Sequence, residues 1–361
     1  ELRMNTIKVN NPELDVLVQH YAGSIAYGTN LPTSDVDIRG IFCGSRLQMT
    51  PPFYPIREVS IPEQEDGKLY ELCNFMHLYT QGNPNILESL WVDKGDILST
   101  SPAYDYLRMN AGELLSSKVA FTFSGYALSQ LKRIKGHNRW INNPQPEKPP
   151  EHKDYLKLVV NFTEDKILPR DFRVENYYRD HDVVHYGDDI YALIPKGEGS
   201  SVITAKGDFN ISCKQEKVSI RGVNPSFVFR HLKDEYRKAK EAHTNYWTWK
   251  QNRNESRAAL EEKHGFDCKH AMHLVRLLRM GEEVLKGEGV IVKRPDAEEL
   301  LAIRNGDFSY NEIVTYAESK DKEIRGDLYN RTYLRKTPNI ALASKITTNI
   351  QDMYWESNYA V

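Results

Sequence analysis

The sequence has few cysteines, no close cysteine pair and almost no net charge. Its cysteines number four and stand at Cys43, Cys73, Cys213 and Cys268. This spacing indicates neither a disulfide framework nor a cysteine-bound metal. The 48 basic and 50 acidic residues leave a formal charge of −2, so no general polyanion-binding surface is indicated. Any contact with nucleic acid must therefore come from local basic patches.

Long hydrophobic runs are also missing. No apolar stretch reaches the length that spans a membrane, and no secretory signal pattern is evident. Isolated cysteines are typical of a reducing compartment. We therefore expect a cytoplasmic protein without a membrane partner. The 361 residues are enough for two or three domains.

The most informative stretch begins with a β-favouring run at residues 14–21. Gly23 and Ser24 then turn the chain into a short helix that reaches about Tyr27, with Ser24 as its expected N-cap. Small residues at a helix start leave backbone N–H groups available for a phosphate. We expect the backbone at Gly23 and Ser24, and the Ser24 hydroxyl, to bind phosphate.

A pair of aspartates follows this turn. Residues 35–42 alternate as a second strand, which would put Asp35 and Asp37 on one face. Adjacent carboxylates repel each other unless a cation lies between them. Mg²⁺ is bound by carboxylates together with substrate phosphates. The alternative is that these residues are only the polar start of a strand.

The order of these features resembles a known superfamily. The strand, Gly23-Ser24, the short helix and Ser34-Asp35-Val36-Asp37 resemble the signature of the DNA polymerase β-type nucleotidyltransferases. The longer string through Gly40 resembles one branch, the minimal nucleotidyltransferases described as RNA-repair-pathway-like. Segments farther along the chain that resemble the same branch lie at residues 125–144, 267–281, 292–296 and 300–306.

The resemblance implies an α+β fold. An N-terminal polymerase-β-type nucleotidyltransferase palm, a mixed sheet with helices, would occupy residues 4–101. A mainly helical domain would occupy residues 102–361 and contain a small β insertion at about 170–225, where short strand patterns alternate with Gly and Asp turns. The insertion shows the least family likeness, and no chemistry is assigned to it.

A third acidic ligand is expected on an adjacent strand, because two aspartates leave a two-metal site short of negative charge. Glu71 is our choice, and the family has a similar Tyr-Glu-Leu segment. The competitors are Glu65 and Asp66, which precede the predicted strand. Glu88, farther on, is expected to be structural and to hold the turn at Asn83.

The segment at 267–281 predicts an amphipathic helix. Its buried stripe consists of Ala271, Leu274, Val275 and Leu278. Three cationic side chains line up on the side away from that stripe: Lys269, His273 and Arg276. Such a row repels itself unless an anion bridges it, although solvation alone could explain it. We expect the row, with Arg304, to form the far wall of a nucleotide cleft.

Residues 230–257 interleave aromatic and basic side chains, including Trp247 and Trp249. Such a pattern can stack the bases of single-stranded nucleic acid. It can equally pack a helix onto a core.

The function implied by the resemblance is transfer of a nucleoside monophosphate from an NTP to an acceptor hydroxyl. Asp35, Asp37 and Glu71 would hold two Mg²⁺ ions, or Mn²⁺, and would be the catalytic residues. Tyr27 would belong to the nucleotide site, which also binds ATP or another NTP. The acceptor would be an RNA, with a tRNA 3′ end preferred. The alternatives are nucleotidylation of a protein or small molecule, or a non-catalytic nucleotide- or RNA-binding module.

Overall fold

The computed structural model describes residues 6–8, 13–50, 55–61, 64, 66–164, 166–215, 222, 224–253 and 255–357. The chain forms two compact units. The first comprises Glu1–Asn142 and Glu255–Val361, and the second comprises Asn143–Asn254. The boundary predicted between residues 101 and 102 therefore does not separate two units. Tyr104 and Phe123, beyond that boundary, share one hydrophobic core with Leu17 and Phe75, before it.

The first unit contains a mixed sheet. Its strands are β1 (Thr6–Lys8), β2 (Glu13–Ala22), β3 (Asp37–Cys43), β4 (Glu58–Ser60), β5 (Lys68–Glu71) and β6 (Ile97–Ser99). The order is β1-β2-β3-β5-β4, and β6 also pairs with β2. Strands β3 and β5 are parallel, whereas the other pairs are antiparallel. Since β3 begins at Asp37, Asp35 lies in the preceding loop, not on the strand as predicted.

Six helices accompany the sheet in the N-terminal part of this unit. They are α1 (Gly23–Tyr27), α2 (Arg46–Met49), α3 (Leu72–Thr80), α4 (Pro84–Leu87), α5 (Pro102–Asn110) and α6 (Val119–Asn142). Short 3-10 segments lie at Glu88–Leu90 and Lys94–Asp96. Helix α6 buries Ala127, Leu131 and Ile134, which recur at the helical period.

The second unit is the insertion, and it is larger than predicted. Its strands are β7 (Leu156–Asn161), β8 (His181–Gly187), β9 (Ile190–Pro195), β10 (Ser201–Val202) and β11 (Phe227–His231). They form an antiparallel sheet in the order β10-β8-β9-β11-β7. The unit also contains 3-10 segments at His152–Tyr155 and Val174–Tyr177, and helix α7 (Lys233–Gln251). Within the unit, Tyr246 is buried and the Trp247 indole N–H donates to the Pro146 carbonyl at 3.0 Å. These contacts support packing for those two aromatic residues.

The remaining helices of the first unit follow the insertion. They are α8 (Glu255–His264), α9 (Cys268–Lys286), α10 (Ala297–Asn305), α11 (Tyr310–Glu323), α12 (Tyr329–Arg331) and α13 (Ile340–Ser357), with a π-helical turn at Ile324–Leu328. Helix α9 packs against α6, α10 and α11. Gly281 permits the approach to α6, because a Cβ there would lie 2.9 Å from Phe123 Cβ.

The sequence predicts neither a disulfide framework nor a membrane-spanning segment. None of the four cysteines is in a disulfide. Among the described helices, none combines the length and the apolar character needed to cross a bilayer.

A histidine lies inside the sheet. His20 is on β2, opposite Arg39 of β3 and Ile97 of β6, and its side chain is buried. Burial lowers the pKa of His20 to about 4, whereas the ordinary value is 6.5. His20 is therefore neutral in the folded protein at every pH above about 4.

We expect His20 to make the fold sensitive to acid. Between pH 6.5 and 4 the unfolded chain binds a proton that the folded chain does not, so stability falls as the pH drops through that window. The contribution is about 3 kcal/mol, because one pKa unit corresponds to 1.36 kcal/mol. Urea denaturation at pH 7 and pH 4 should show a smaller pH-dependent loss for His20→Gln than for the wild type. An equal loss in the two proteins would contradict this assignment.

Candidate active site

Gly23 and Asp37 lie close together at the edge of the sheet. Strand β2 ends at Ala22, whose register partner on β3 is Asp37. Gly23 has φ = +60°, and a Cβ on it would lie 2.1 Å from Asp37 Oδ2. A side chain at position 23 would thus be both strained and in collision with the carboxylate. The predicted phosphate turn and a predicted metal ligand are therefore direct neighbours.

Two further carboxylates, those of Asp35 and Asp66, act on the pKa of Asp37. Asp35 and Asp66 are exposed, and Asp37 is half-buried. Arg39 of β3 pairs with Lys68 of the parallel strand β5, and Asp66 lies in the turn two residues before Lys68, near enough for its charge to act on Asp37.

The electrostatics of Asp37 agree with this placement. Burial is the main cause that raises the pKa of Asp37, and the Asp66 and Asp35 carboxylates raise it further. Arg39 and Lys269 lower that pKa, and the effect of Arg39 is larger than that of any of the other three charged groups. Asp37 thus has two acidic and two basic neighbours, an arrangement that suits a cation and an anionic substrate together.

The choice of Glu71 as third ligand is corrected by the structure. Glu71 pairs with Phe42, five residues along β3 from Asp37, which corresponds to about 16 Å. Its side chain is fully buried and caps α3, accepting from the Cys73 N–H at 2.6 Å and the Asn74 N–H at 3.3 Å. Burial raises the pKa of Glu71, and these backbone donors act against the rise. Of the two competitors, Glu65 lies outside the described residues and Asp66 is the carboxylate that approaches Asp37.

Two predicted nucleotide ligands, Tyr27 and Arg276, belong to the core instead. Arg276 is 4% exposed and Tyr27 is 4% exposed. Arg276 Nη1 donates to Glu88 Oε1 at 2.8 Å, and the Tyr27 hydroxyl donates to Glu88 Oε2 at 2.8 Å. The guanidinium lies 3.7 Å from the centroid of the Tyr27 ring. These side chains join α1 to α9 and are too deeply buried to contact a nucleotide.

Glu88 is structural, as predicted, but through this network and not through the turn at Asn83. Asn83 caps α4 with its own side chain, which accepts from the Asn85 N–H at 3.1 Å.

Lys269, His273 and Arg304 are less deeply buried than Arg276. Lys269 and His273 are half-buried in the first turns of α9, and Lys269 is close enough to Asp37 to lower its pKa. Arg304 is half-buried in the last turn of α10. Nucleotide binding by Lys269, His273 and Arg304 stays a prediction.

The sequence reasoning missed Arg39 and Lys293. The two-residue period that joined Asp35 to Asp37 also places Arg39 on the face of Asp37, so the pattern could have identified it. Lys293 Nζ donates to the Ile25 carbonyl of α1 at 3.2 Å and pairs with Asp96 at 3.3 Å. No local pattern signals that contact, because 268 positions separate Lys293 from Ile25.

A mixed sheet with clustered aspartates beside a glycine turn is the arrangement of a nucleotidyltransferase palm. A family model described as the RNA repair pathway DNA polymerase beta family matches residues 2–156. This match confirms the resemblance to a polymerase β-like nucleotidyltransferase family over residues 2–156. Searches of curated proteins and of solved structures found no match.

The buried position of Arg276 predicts a loss of stability on substitution. Arg276→Ala leaves the Glu88 carboxylate buried without its cation, which should destabilise the fold by about 3–5 kcal/mol. Urea denaturation measures this change. Lys286→Ala is the matched control on the same helix, because Lys286 pairs with Glu282 at the surface and an exposed pair contributes about 0–1 kcal/mol.

Comparison of Arg276→Ala with Lys286→Ala distinguishes a core role of Arg276 from a role in nucleotide binding. If Arg276→Ala unfolds no more easily than Lys286→Ala and instead loses nucleotide affinity, the core assignment is wrong.

Proposed function

We propose that this protein is a metal-dependent nucleotidyltransferase that moves a nucleoside monophosphate from an NTP to an acceptor hydroxyl and releases pyrophosphate. The observation that carries the proposal is the contact of the Asp37 carboxylate with Gly23, with Asp35 and Asp66 nearby. A turn that suits phosphate and a group of carboxylates that suits a cation are thereby joined at one edge of the sheet.

The donor set fits Mg²⁺ or Mn²⁺. All three candidate ligands, Asp35, Asp37 and Asp66, offer carboxylate oxygens, which hard divalent cations prefer. Burial and, to a smaller extent, the Asp66 and Asp35 carboxylates raise the pKa of Asp37, and a bound cation would favour its ionised form. When bound, Mg²⁺ would lower the pKa of the acceptor hydroxyl and neutralise charge on the triphosphate. In this proposal Asp66 replaces Glu71 as the third carboxylate.

The triphosphate would be held by groups around the carboxylates. The backbone at Gly23 and the half-buried Ser24 hydroxyl are proposed to contact its terminal phosphates, and Lys269 to balance their charge from α9. His273 and Arg304 are proposed as further contacts. Held in this way, the α-phosphorus can form a bond to the acceptor oxygen while its bond to the bridging oxygen breaks and pyrophosphate leaves.

The proposed acceptor is an RNA 3′ end, with tRNA as the preferred example. The support is the description of the matching family, which names an RNA repair pathway. Nucleotidylation of a protein or small molecule is the alternative within the same chemistry. The presence of three carboxylates at the sheet edge favours an enzyme over a binding module, since binding alone does not require them.

The direct experiment is to incubate the full chain with Mg²⁺ and each α-labelled NTP, with total RNA, with purified tRNA, or with no added acceptor. Label in RNA that depends on the protein supports the proposal. Label on the protein itself supports the alternative acceptor. Absence of label and of pyrophosphate release with all four NTPs, each tested with Mg²⁺ and Mn²⁺, would contradict nucleotidyl transfer by this chain.

Asp37→Asn should abolish transfer without weakening the fold. The variant keeps the shape that fits against Gly23 but removes a metal ligand, so turnover should fall at least about a hundredfold, because metal stabilisation of charge is worth several kcal/mol. The folded pKa of Asp37 is raised, so its ionised form is disfavoured by the fold at neutral pH. The melting temperature of Asp37→Asn, measured without divalent ions, should therefore equal or exceed that of the wild type. Near-normal turnover would rule out the site.

A paired comparison tests which residue is the third carboxylate. Asp66→Asn should lose most of the transfer activity and keep its melting temperature, because Asp66 is exposed. Glu71→Gln should keep its activity and lose about 0.5–2 kcal/mol of stability, because the amide satisfies fewer of the backbone donors that cap α3. Steady-state kinetics and urea denaturation of both variants decide the question. The opposite pattern would return the metal site to Glu71.

A further inference from the structure

Three elements of the first unit bring histidines and carboxylates together outside the candidate active site. His137 is near the end of α6, Glu261 is on α8, and Asp267 is the N-cap of α9. One ligand atom from each lies within 4.8 Å of the others, and within the described parts of the chain this is the one such group of three. His270, in the first turn of α9, adds a fourth donor because its Nε2 is 3.5 Å from Asp267 Oδ2.

The distances of the two histidine nitrogens from Asp267 are close to those between tetrahedral ligands. Asp267 Oδ2 is 3.8 Å from His137 Nδ1 and 3.5 Å from His270 Nε2. Bonds of about 2.0–2.1 Å to Zn²⁺ would put tetrahedral ligands about 3.3–3.4 Å apart. The two imidazole rings have centroids 6.0 Å apart and an interplanar angle of 60°. Movements of a few tenths of an ångström would bring the two nitrogens to tetrahedral spacing from Asp267 Oδ2. His270 would also have to approach His137 and Glu261, because the group whose ligand atoms lie within 4.8 Å of one another comprises His137, Glu261 and Asp267.

The backbone already fixes one of the ligands. Asp267 Oδ1 accepts from the His270 N–H at 3.0 Å and caps α9. Its other oxygen, Oδ2, is the atom nearest both imidazoles. The cap therefore holds the aspartate in the orientation that a metal ion would require, an arrangement typical of ligands supported by neighbouring hydrogen bonds.

The burial of the carboxylates creates a need for positive charge. Glu261 is 5% exposed and Asp267 is 2% exposed, and two buried carboxylates this close are costly unless a cation compensates them. Protonated histidines are one source of that charge, whereas a metal ion supplies it with neutral histidines. Each of the four side chains has other neighbours as well, so a metal ion would replace contacts.

We propose that His137, Glu261, Asp267 and His270 form a structural site for a divalent transition metal, with Zn²⁺ as the probe. The two imidazole nitrogens distinguish it from the carboxylate-only site at Asp37, because nitrogen donors favour Zn²⁺ over Mg²⁺. The ion would tie the end of α6 to α8 and to the first turn of α9. That turn carries Lys269, which acts on the pKa of Asp37.

The test uses the full chain after removal of metals with a chelator. Zn²⁺ is titrated calorimetrically at pH 7.5 in an Asp35→Asn/Asp37→Asn background, which removes binding at the aspartates. One equivalent of Zn²⁺ should bind, and His137→Gln should weaken binding at least about tenfold, since even outer-sphere partners contribute 10- to 100-fold. The control is His152→Gln. His152 Nδ1 is 3.2 Å from His231 Nε2 in the second unit, outside the cluster, so this variant should bind as before.

Melting temperatures with and without Zn²⁺, and Zn²⁺ binding as a function of pH, distinguish loss of the metal site from misfolding of a variant. Zn²⁺ should raise the melting temperature of the background protein and of His152→Gln, but not that of His137→Gln or His270→Gln. Binding should weaken from pH 7.5 to 5.5 as the imidazoles protonate. Absence of one tight equivalent in the background protein, or equal affinity in His137→Gln, would overturn the proposal. A melting temperature that rises towards pH 5.5 without any effect of Zn²⁺ would show that protonated histidines neutralise the cluster instead. No nucleotide is used, so these outcomes are independent of nucleotidyl transfer.

Discussion

The contact between Gly23 and Asp37 sets the geometry on which the candidate site depends. The pairing of β2 with β3 brings Ala22 opposite Asp37, and the next residue must then turn with positive φ beneath the carboxylate. A Cβ 2.1 Å from Asp37 Oδ2 cannot be accommodated there. The turn that starts α1 and the carboxylate that starts β3 are consequently fixed by one constraint, and neither can move without the other.

The C-terminal end of α1, at Tyr27, is fixed by buried contacts with Glu88, Arg276 and Arg294. Glu88 accepts from Tyr27 and Arg276, and the Arg294 N–H donates to the Tyr27 carbonyl at 3.0 Å. A buried ion pair gains little over an apolar replacement, but loss of one partner is costly. These contacts therefore make the C-terminal helices part of the structure that supports the turn at Gly23. This explains why a chain segment far from the palm in sequence belongs to the same compact unit.

Local features of the fold could be read from the sequence, whereas the neighbours of each element could not. Two-residue alternation and turn residues identified β2, α1 and most of β3, because strand and turn patterns depend on adjacent side chains. The choice between Glu71 and Asp66 depends on the register of β5 against β3, which no local pattern contains. Either residue could supply a carboxylate. The pairing of β5 with β3 places Glu71 opposite Phe42, whereas the charge of Asp66 acts on Asp37.

The sequence pattern of helix α9 likewise did not show which elements pack against it. A helical wheel separates one side of a helix from the other, and it located the buried stripe that begins at Ala271. It could not reveal that α1 covers the opposite side near Arg276, so a cation expected at a cleft lies in the core. Helix α9 presents Lys269 towards Asp37, Arg276 to the core and Asp267 at its cap. Because a packed helix moves as a rigid body, whatever fixes its first turn also fixes the distance of Lys269 from the carboxylates.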